Sequence, residues 1–232
     1  MPKKNVDVEG LFNRVAHRYD RLNRVISLGQ DTRWRRVCVD RVAKDSPQNV
    51  LDLACGTGDL TIALAHRMPV ASIIGTDFSE EMLGVAEHKI AQRGLASDID
   101  LYRTAAEQLP FDAASFDAIT CAFGVRNFAD IYQAMSECHR VLRPGGHMAI
   151  LEFAQPIRPF RRLLFQLYTY TVLPLMGLLF AGAYHEYLYL PKSIVAFSRA
   201  QVLFRALNQA GFKQATVRRM NLGSVILVYV QA

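Results

Sequence analysis

Residues 49–59, Asn-Val-Leu-Asp-Leu-Ala-Cys-Gly-Thr-Gly-Asp (NVLDLACGTGD), settle the architecture. Asn49–Ala54 is a short apolar run of strand length, broken by Cys55-Gly56-Thr57-Gly58. A helical stretch follows from Asp59 to about Met68. Outward from there the alternation repeats. Ser72–Asp77 reads as a second buried strand. Ser79 is placed to cap a helix, with Glu80 and Glu81 in the first turn, where the helix dipole favours them. Met82, Leu83, Ala86 and Ile90 form that helix's apolar stripe. Ile99–Arg103 and Phe116–Phe123 read as the third and fourth strands. Asp130 caps a helix carrying Ile131, Met135, Cys138 and Leu142 on one face, and Pro144-Gly145-Gly146 stops it. His147–Phe153 is a fifth strand. The tail predicts a helix from about Ser198 to Ala210, stopped by Gly211, then an edge hairpin of Gln214–Met220 and Ser224–Val230. Such alternation predicts an α/β fold: a mostly parallel, doubly wound sheet with helices on both faces and an antiparallel C-terminal hairpin.

In an open parallel sheet, ligands bind beyond the carboxyl ends of the strands at the topological switch point. Gly56 and Gly58 sit in the turn there, where a missing Cβ lets backbone approach a ligand. Asp77 ends the next strand and can accept hydrogen bonds from both hydroxyls of a ribose. A dinucleotide fingerprint places a third glycine at position 61, which is Thr61. Asp52 precedes the loop; a carboxylate there opposes a pyrophosphate but suits a cationic amino-acid moiety. The pattern points away from a dinucleotide oxidoreductase and toward S-adenosyl-L-methionine. The alternative for Asp52 is a carboxylate that caps loop amides.

The chain has 232 residues, 51% hydrophobic and 21% charged, which excludes a disordered or fibrous protein. It reads as one domain of four parts: an N-terminal helical lid (1–46), a cofactor-binding core (47–154), an apolar insertion (155–197) and a C-terminal helix and hairpin (198–232). Charge follows this division: net +5 over 1–46, −7 over 47–154 and +8 over 155–232. An acidic core between basic flanks suits contact with something anionic, a membrane surface or a nucleic acid. Leu163–Tyr184 carries no charge in 22 residues, and Arg158, Arg161 and Arg162 precede it. Length alone suits a bilayer span, but Gln166, Thr169, Thr171 and Pro174 interrupt it. It reads instead as a flap for an apolar substrate tail that docks peripherally on anionic lipid; core or homodimer-forming helices are the alternative. Four separated cysteines predict reduced thiols in a cytoplasmic protein. Met1–Gly10 is polar, with no apolar run behind Lys3 and Lys4, and predicts no secretory leader. No His/Cys set has metal-ligand spacing, so no metal is expected.

VLDLACGTGD (Val50–Asp59) resembles motif I of class I S-adenosylmethionine-dependent methyltransferases. Three further segments resemble the UbiE/MenG quinone-biosynthesis C-methyltransferases: YDRLNRVISLGQDTRW (Tyr19–Trp34), FGVRNFAD (Phe123–Asp130) and RVLRPGGHMAILEF (Arg140–Phe153). YLPKSI (Tyr189–Ile194) extends the likeness over almost the whole chain. The resemblance implies the Rossmann-like class I fold. It also implies cofactor contacts through Thr57, Asp77, the Ala105–Ala106 backbone and Ala122. The chain departs from the family's usual residues at Leu22, Asp31, Ala154 and Ala105; at Ala105, backbone or water must replace a side-chain bond to the adenine amino group.

The implied reaction methylates a ring carbon of a polyprenylated quinol. Naphthoquinol (demethylmenaquinol) and 2-polyprenyl-6-methoxy-1,4-benzoquinol substrates share the signature, and the FGVRNF wording leans to the first. Arg126, beyond the fourth strand, is the candidate to stabilise the ring phenolate, with Asn127 holding the guanidinium or the second ring oxygen. A salt bridge from Arg126 to Asp130 or Glu152 is the alternative. Tyr19 and Asp20 are candidate lid residues over the substrate. A nucleic-acid methyltransferase is the rival class, but the C-terminal arginines surround apolar stretches rather than a polar groove, so no nucleic-acid partner is expected.

Overall fold

The computed structural model describes residues 8–172, 193–195, 197 and 201–232. Two helices, α1 (Val8–Ile26) and α2 (Gln30–Ala43), lead into β1 (Asn49–Leu53), α3 (Asp59–Arg67), β2 (Ser72–Asp77), α4 (Glu80–Gln92), β3 (Ile99–Arg103) and β4 (Phe116–Ala122). A short 3-10 turn, Val125–Asn127, precedes α5 (Ile131–Val141) and β5 (Leu142–Phe153). Then follow α6 (Pro159–Leu167), α7 (Val202–Ala210), β6 (Lys213–Met220) and β7 (Val225–Gln231). The strands form one sheet in the order β3-β2-β1-β4-β5-β7-β6. β1 to β5 run parallel, and β7 pairs antiparallel with both β5 and β6. The predicted doubly wound sheet and C-terminal hairpin are therefore present, with β7 inserted between β5 and the exposed edge strand β6.

Both faces of the central strands are buried, and successive residues alternate between two cores. Leu51, Leu53, Ile119 and Cys121 face α5 and α7, where Met135, Cys138, Leu203 and Leu207 pack. Val50, Ile73, Ala118 and Leu151 face α2, α3 and α4, where Trp34, Cys38, Leu64 and Ile90 pack. The predicted caps are formed: the Ser79 hydroxyl accepts the Met82 N–H, and Asp130 accepts those of Tyr132 and Gln133. Two boundaries differ. The helix before Pro144 ends at Val141, and the fifth strand begins at Leu142 rather than His147. Leu142 pairs with Phe116 and His147 with Ala118, so Pro144-Gly145-Gly146 is an irregularity inside the strand, not a stop before it. α7 begins at Val202, while residues 198–200 of the expected helix, and 173–184 of the apolar run, lie outside the described residues.

β1 lies between β2 and β4, and the chain winds outward in opposite directions from it. The switch point is therefore the carboxyl end of β1 and β4. α1 packs beside it, its Phe12, Ala16, Tyr19 and Leu22 against Met82 and Val85 of α4.

Candidate active site

A cleft opens at that switch point. Its wall is built from Ala54 and Gly56 after β1, Asp77 and Phe78 at the end of β2, Met82 on α4, and Ala122, Phe123 and Gly124 at the end of β4. Asn127 and Phe128 continue it, and α1 closes it with Phe12 and Tyr19. Ala54 (φ 54°) and Phe123 (φ 61°) are both left-handed, an uncommon state for residues with a side chain, and both stand on the wall.

Asp77 is 6% exposed. One carboxylate oxygen accepts the Gly56 N–H at 2.8 Å and the other the Ser79 N–H at 2.9 Å. Burial raises its pKa, and the amides of Ser79, Gly56 and Phe78 pull it back. An ionised carboxylate has about four lone-pair sites, so acceptor capacity remains for hydroxyls entering the cleft. Gly56 has φ 56°, where a Cβ is strained, and its amide is what ties the loop to Asp77. An acid with spare acceptor capacity beside an open loop backbone and apolar walls fits the ribose and base of S-adenosylmethionine.

Of the residues singled out from sequence, Gly56, Asp77, Ala122, Asn127 and Tyr19 come together on this wall. The others have different places. Asp52 lies beneath the loop, fully buried, accepting the hydroxyls of Thr61 at 2.6 Å and Thr120 at 2.7 Å. It caps hydroxyls rather than facing a cationic ligand, and desolvation pushes its pKa up to about 6. Gly58 (φ 79°) caps α3, and a Cβ there would meet the Ala86 Cβ at 3.1 Å; it permits α4 to pack rather than a ligand to approach. The Thr57 hydroxyl donates to Asp20 at 2.5 Å. Ala105 is exposed and Ala106 packs into the core, while the neighbouring Thr104 N–H is held by the Asp77 carbonyl at 3.0 Å. Asp20 is not on the wall: it accepts from Thr57 and from Lys89, the latter at 2.6 Å, and so latches α1 to the loop and to α4.

Arg126 is likewise absent from the cleft wall. Its guanidinium is buried, donating to Glu152 at 2.8 Å and to the Phe123 carbonyl at 2.5 Å, and its Nε has no hydrogen-bond partner. Glu152 is 0% exposed and also accepts the Arg126 and Phe153 amides. The salt-bridge alternative describes this geometry. Arg126 fixes the turn that presents Asn127, and the neutral donors on the wall are Asn127 and Tyr19.

Sequence reading missed Phe12, Phe78 and Met82 as wall residues, and Lys89 as the latch. Phe78 carried one signal, its place directly after the strand-end acid. Met82 was legible only as part of a core stripe. Burial pushes the thiol pKa of Cys55, next to Gly56, well up, and the neighbouring carboxylates Asp77 and Asp52 add to this.

The sequence matches the ubiE/COQ5 methyltransferase family over residues 1–230. It is 44% identical over 202 residues to the demethylmenaquinone methyltransferase of Thermus thermophilus, covering 87% of this chain and 91% of that one. It is 39% identical over 232 residues to the ubiquinone/menaquinone biosynthesis C-methyltransferase UbiE of a Geobacter species, covering 99% and 97%. The fold is similar to the crystal structure of a SAM-dependent methyltransferase from Aquifex aeolicus, with TM-score 0.59 and 19% identity over 83% of this chain and 88% of that chain. The strand order, the acid-and-glycine corner and the extent of the sequence match lead to one statement: the chain belongs to the ubiE/COQ5 methyltransferase family, and it is a methyltransferase.

Proposed function

We propose that the chain transfers the methyl group of S-adenosylmethionine to a ring carbon of a demethylated, polyprenylated menaquinol. The observation that carries this reading is the composition of one cleft. The acid corner of Asp77 and Gly56 shares it with an aromatic wall of Phe12, Tyr19, Phe78, Phe123 and Phe128. A flat prenylated ring suits such a wall. Among the described residues no Lys or Arg lines the cleft, which argues against a nucleic-acid substrate and its phosphates. The name of the Thermus thermophilus relative supports the naphthoquinol ring.

S-adenosylmethionine would supply an electrophilic methyl group and leave as the neutral thioether, the proton of the methylated ring carbon passing to water. Asp77 would hold its ribose hydroxyls, and the Gly56 region would face its amino-acid side. The substrate needs help of its own, because a quinol hydroxyl has a phenol-like pKa near ~10 and its ring carbon is nucleophilic only as that oxygen gives up its proton. Asn127 and Tyr19 can donate hydrogen bonds to the ring oxygens as negative charge builds there. The buried Arg126–Glu152 pair holds the turn in register for Asn127. Clamping a planar ring between aromatic side chains supplies proximity, worth roughly 7–11 kcal/mol in favourable cases.

Quinone profiling by mass spectrometry of cells lacking the protein tests the reading. Accumulation of demethylated menaquinone is expected. Accumulation of a demethylated benzoquinone instead would move the substrate to the ubiquinone branch, and an unchanged profile would remove the function.

A further inference from the structure

We infer that α6 is a membrane-docking helix, lying in the interface of an anionic bilayer next to the substrate cleft. This rests on the quinol reading only for its purpose; the surface itself is independent of it. An amphipathic helix on a water-soluble protein turns its apolar stripe inward. α6 does the opposite. Phe160, Leu163, Leu164 and Leu167 are spaced i, i+3, i+4, i+7 and form one stripe, and none of the helix's residues is buried. Phe160 is 71% exposed, Leu163 63% and Leu167 59%. Ile157 before the helix, and Tyr170 and Val172 after it, extend the exposed apolar surface. Isolated exposed apolar side chains are ordinary, but a continuous stripe of this kind marks an interaction face.

The charges choose the occupant. Arg158 begins the helix and Arg161 flanks the stripe, and α6 itself carries no acidic residue. Arg162 is tied to the Pro156 carbonyl at 3.2 Å. An apolar stripe bordered by arginines complements lipid tails beneath anionic headgroups. α6 has nine residues, about 14 Å of helix, too short by itself to cross a bilayer core of roughly 30 Å. The position is telling too. α6 follows β5, whose last residue Phe153 packs on the cleft residue Phe123 with ring centroids 4.6 Å apart, and the Tyr168 hydroxyl just beyond the helix donates to the Ile26 carbonyl at 2.6 Å. Ile26 is the last residue of α1, the helix that closes the cleft with Phe12 and Tyr19. Docking through α6 therefore sets the lid at the bilayer surface, where a prenylated ring arrives.

The test is co-sedimentation of the full chain with vesicles of phosphatidylcholine alone, or mixed with phosphatidylglycerol, at low and high salt. Salt-sensitive binding to the mixed vesicles is expected. Arg158→Gln with Arg161→Gln should weaken it roughly thirtyfold, since each basic residue near the surface contributes on the order of fivefold. Leu163→Glu with Leu167→Glu should abolish it while leaving the circular dichroism spectrum and methylation of a tail-less quinol unchanged. No binding at low salt, or binding indifferent to the leucine pair, overturns the inference. So does light scattering that shows a dimer dissolved by the leucine pair without vesicle binding, which assigns the face to a second copy. Methylation of a tail-less quinol without vesicle binding would fell this inference alone; vesicle binding without methylation would fell the functional reading alone.

Discussion

Asp77 and Asp52 are both buried carboxylates, and their partners give them opposite duties. Asp77 retains acceptor capacity toward the cleft, so Asp77→Asn should weaken S-adenosylmethionine binding by roughly ten- to a hundredfold, the loss of one charge-assisted hydrogen bond. Calorimetry reads this directly, and unchanged affinity would take Asp77 out of the cofactor site. Asp52 spends its oxygens on Thr61 and Thr120, and its pKa stands at about 6 against an ordinary 3.8. Between about pH 4 and 6 the folded chain therefore binds more protons than the unfolded one, and stability falls as pH rises through that window. Asp52→Asn should flatten this part of the pH–stability curve, because the amide cannot titrate and either threonine hydroxyl can turn to meet it. A slope that persists would place the titration elsewhere. For the Arg126–Glu152 pair, removing one partner strands a buried charge. Arg126→Ala should cost roughly 3–5 kcal/mol of stability as well as turnover. A thermal midpoint equal to the wild type would show that the guanidinium is not held as a structural ion pair.

Among the elements, α1 carries the site's most distributed contacts. Asp20 latches it to Thr57 and Lys89, the Asn13 side-chain oxygen Oδ1 accepts the Ser79 hydroxyl at 2.5 Å, and Glu9 meets Arg103 at 3.2 Å. Asp20→Asn keeps an acceptor for Thr57 but loses the charge facing Lys89. Hydrogen exchange of the α1 amides should then quicken on the order of ten- to a hundredfold, with a raised KM for the methyl donor. Unaltered exchange would mean that the latch does not hold the helix. The elements around the latch show what sequence can disclose. β1 to β4 were legible within a residue: β1, β2 and β4 are short, mostly buried runs, and β3, an exposed edge strand, was found by its place in the alternation. The start of β5 was not: Leu142 passes from helix to strand without a linker, and its pairing with Phe116 is a tertiary fact. Asp77 and Gly56 were legible because strand, turn and acid are local in sequence. Phe12 and Lys89 were not, because only the packing of α1 beside α4 brings Phe12 to the cleft and Lys89 to Asp20. Asp31, a departure from the family's usual residue, is buried between Arg24 and Arg35 at the α1–α2 junction, where its role is to fix one helix on the other.

Across the whole molecule, the proposed reading gives the core the charged donor, the α1 lid the apolar ring and the exposed α6 face the surface from which that ring comes. The central claim is that carbon, not oxygen, is methylated, and that the quinol rather than the quinone reacts, since only the quinol has a hydroxyl whose proton can be shared with the cleft. The most direct measurement supplies the purified chain with S-adenosylmethionine bearing a deuterated methyl group and demethylmenaquinone in its reduced or oxidised form, then locates the label by mass spectrometry and NMR. Label on a ring carbon beside a hydroxyl, and only with the reduced substrate, is the predicted result. Label on oxygen, or equal labelling of the oxidised quinone, would contradict the account.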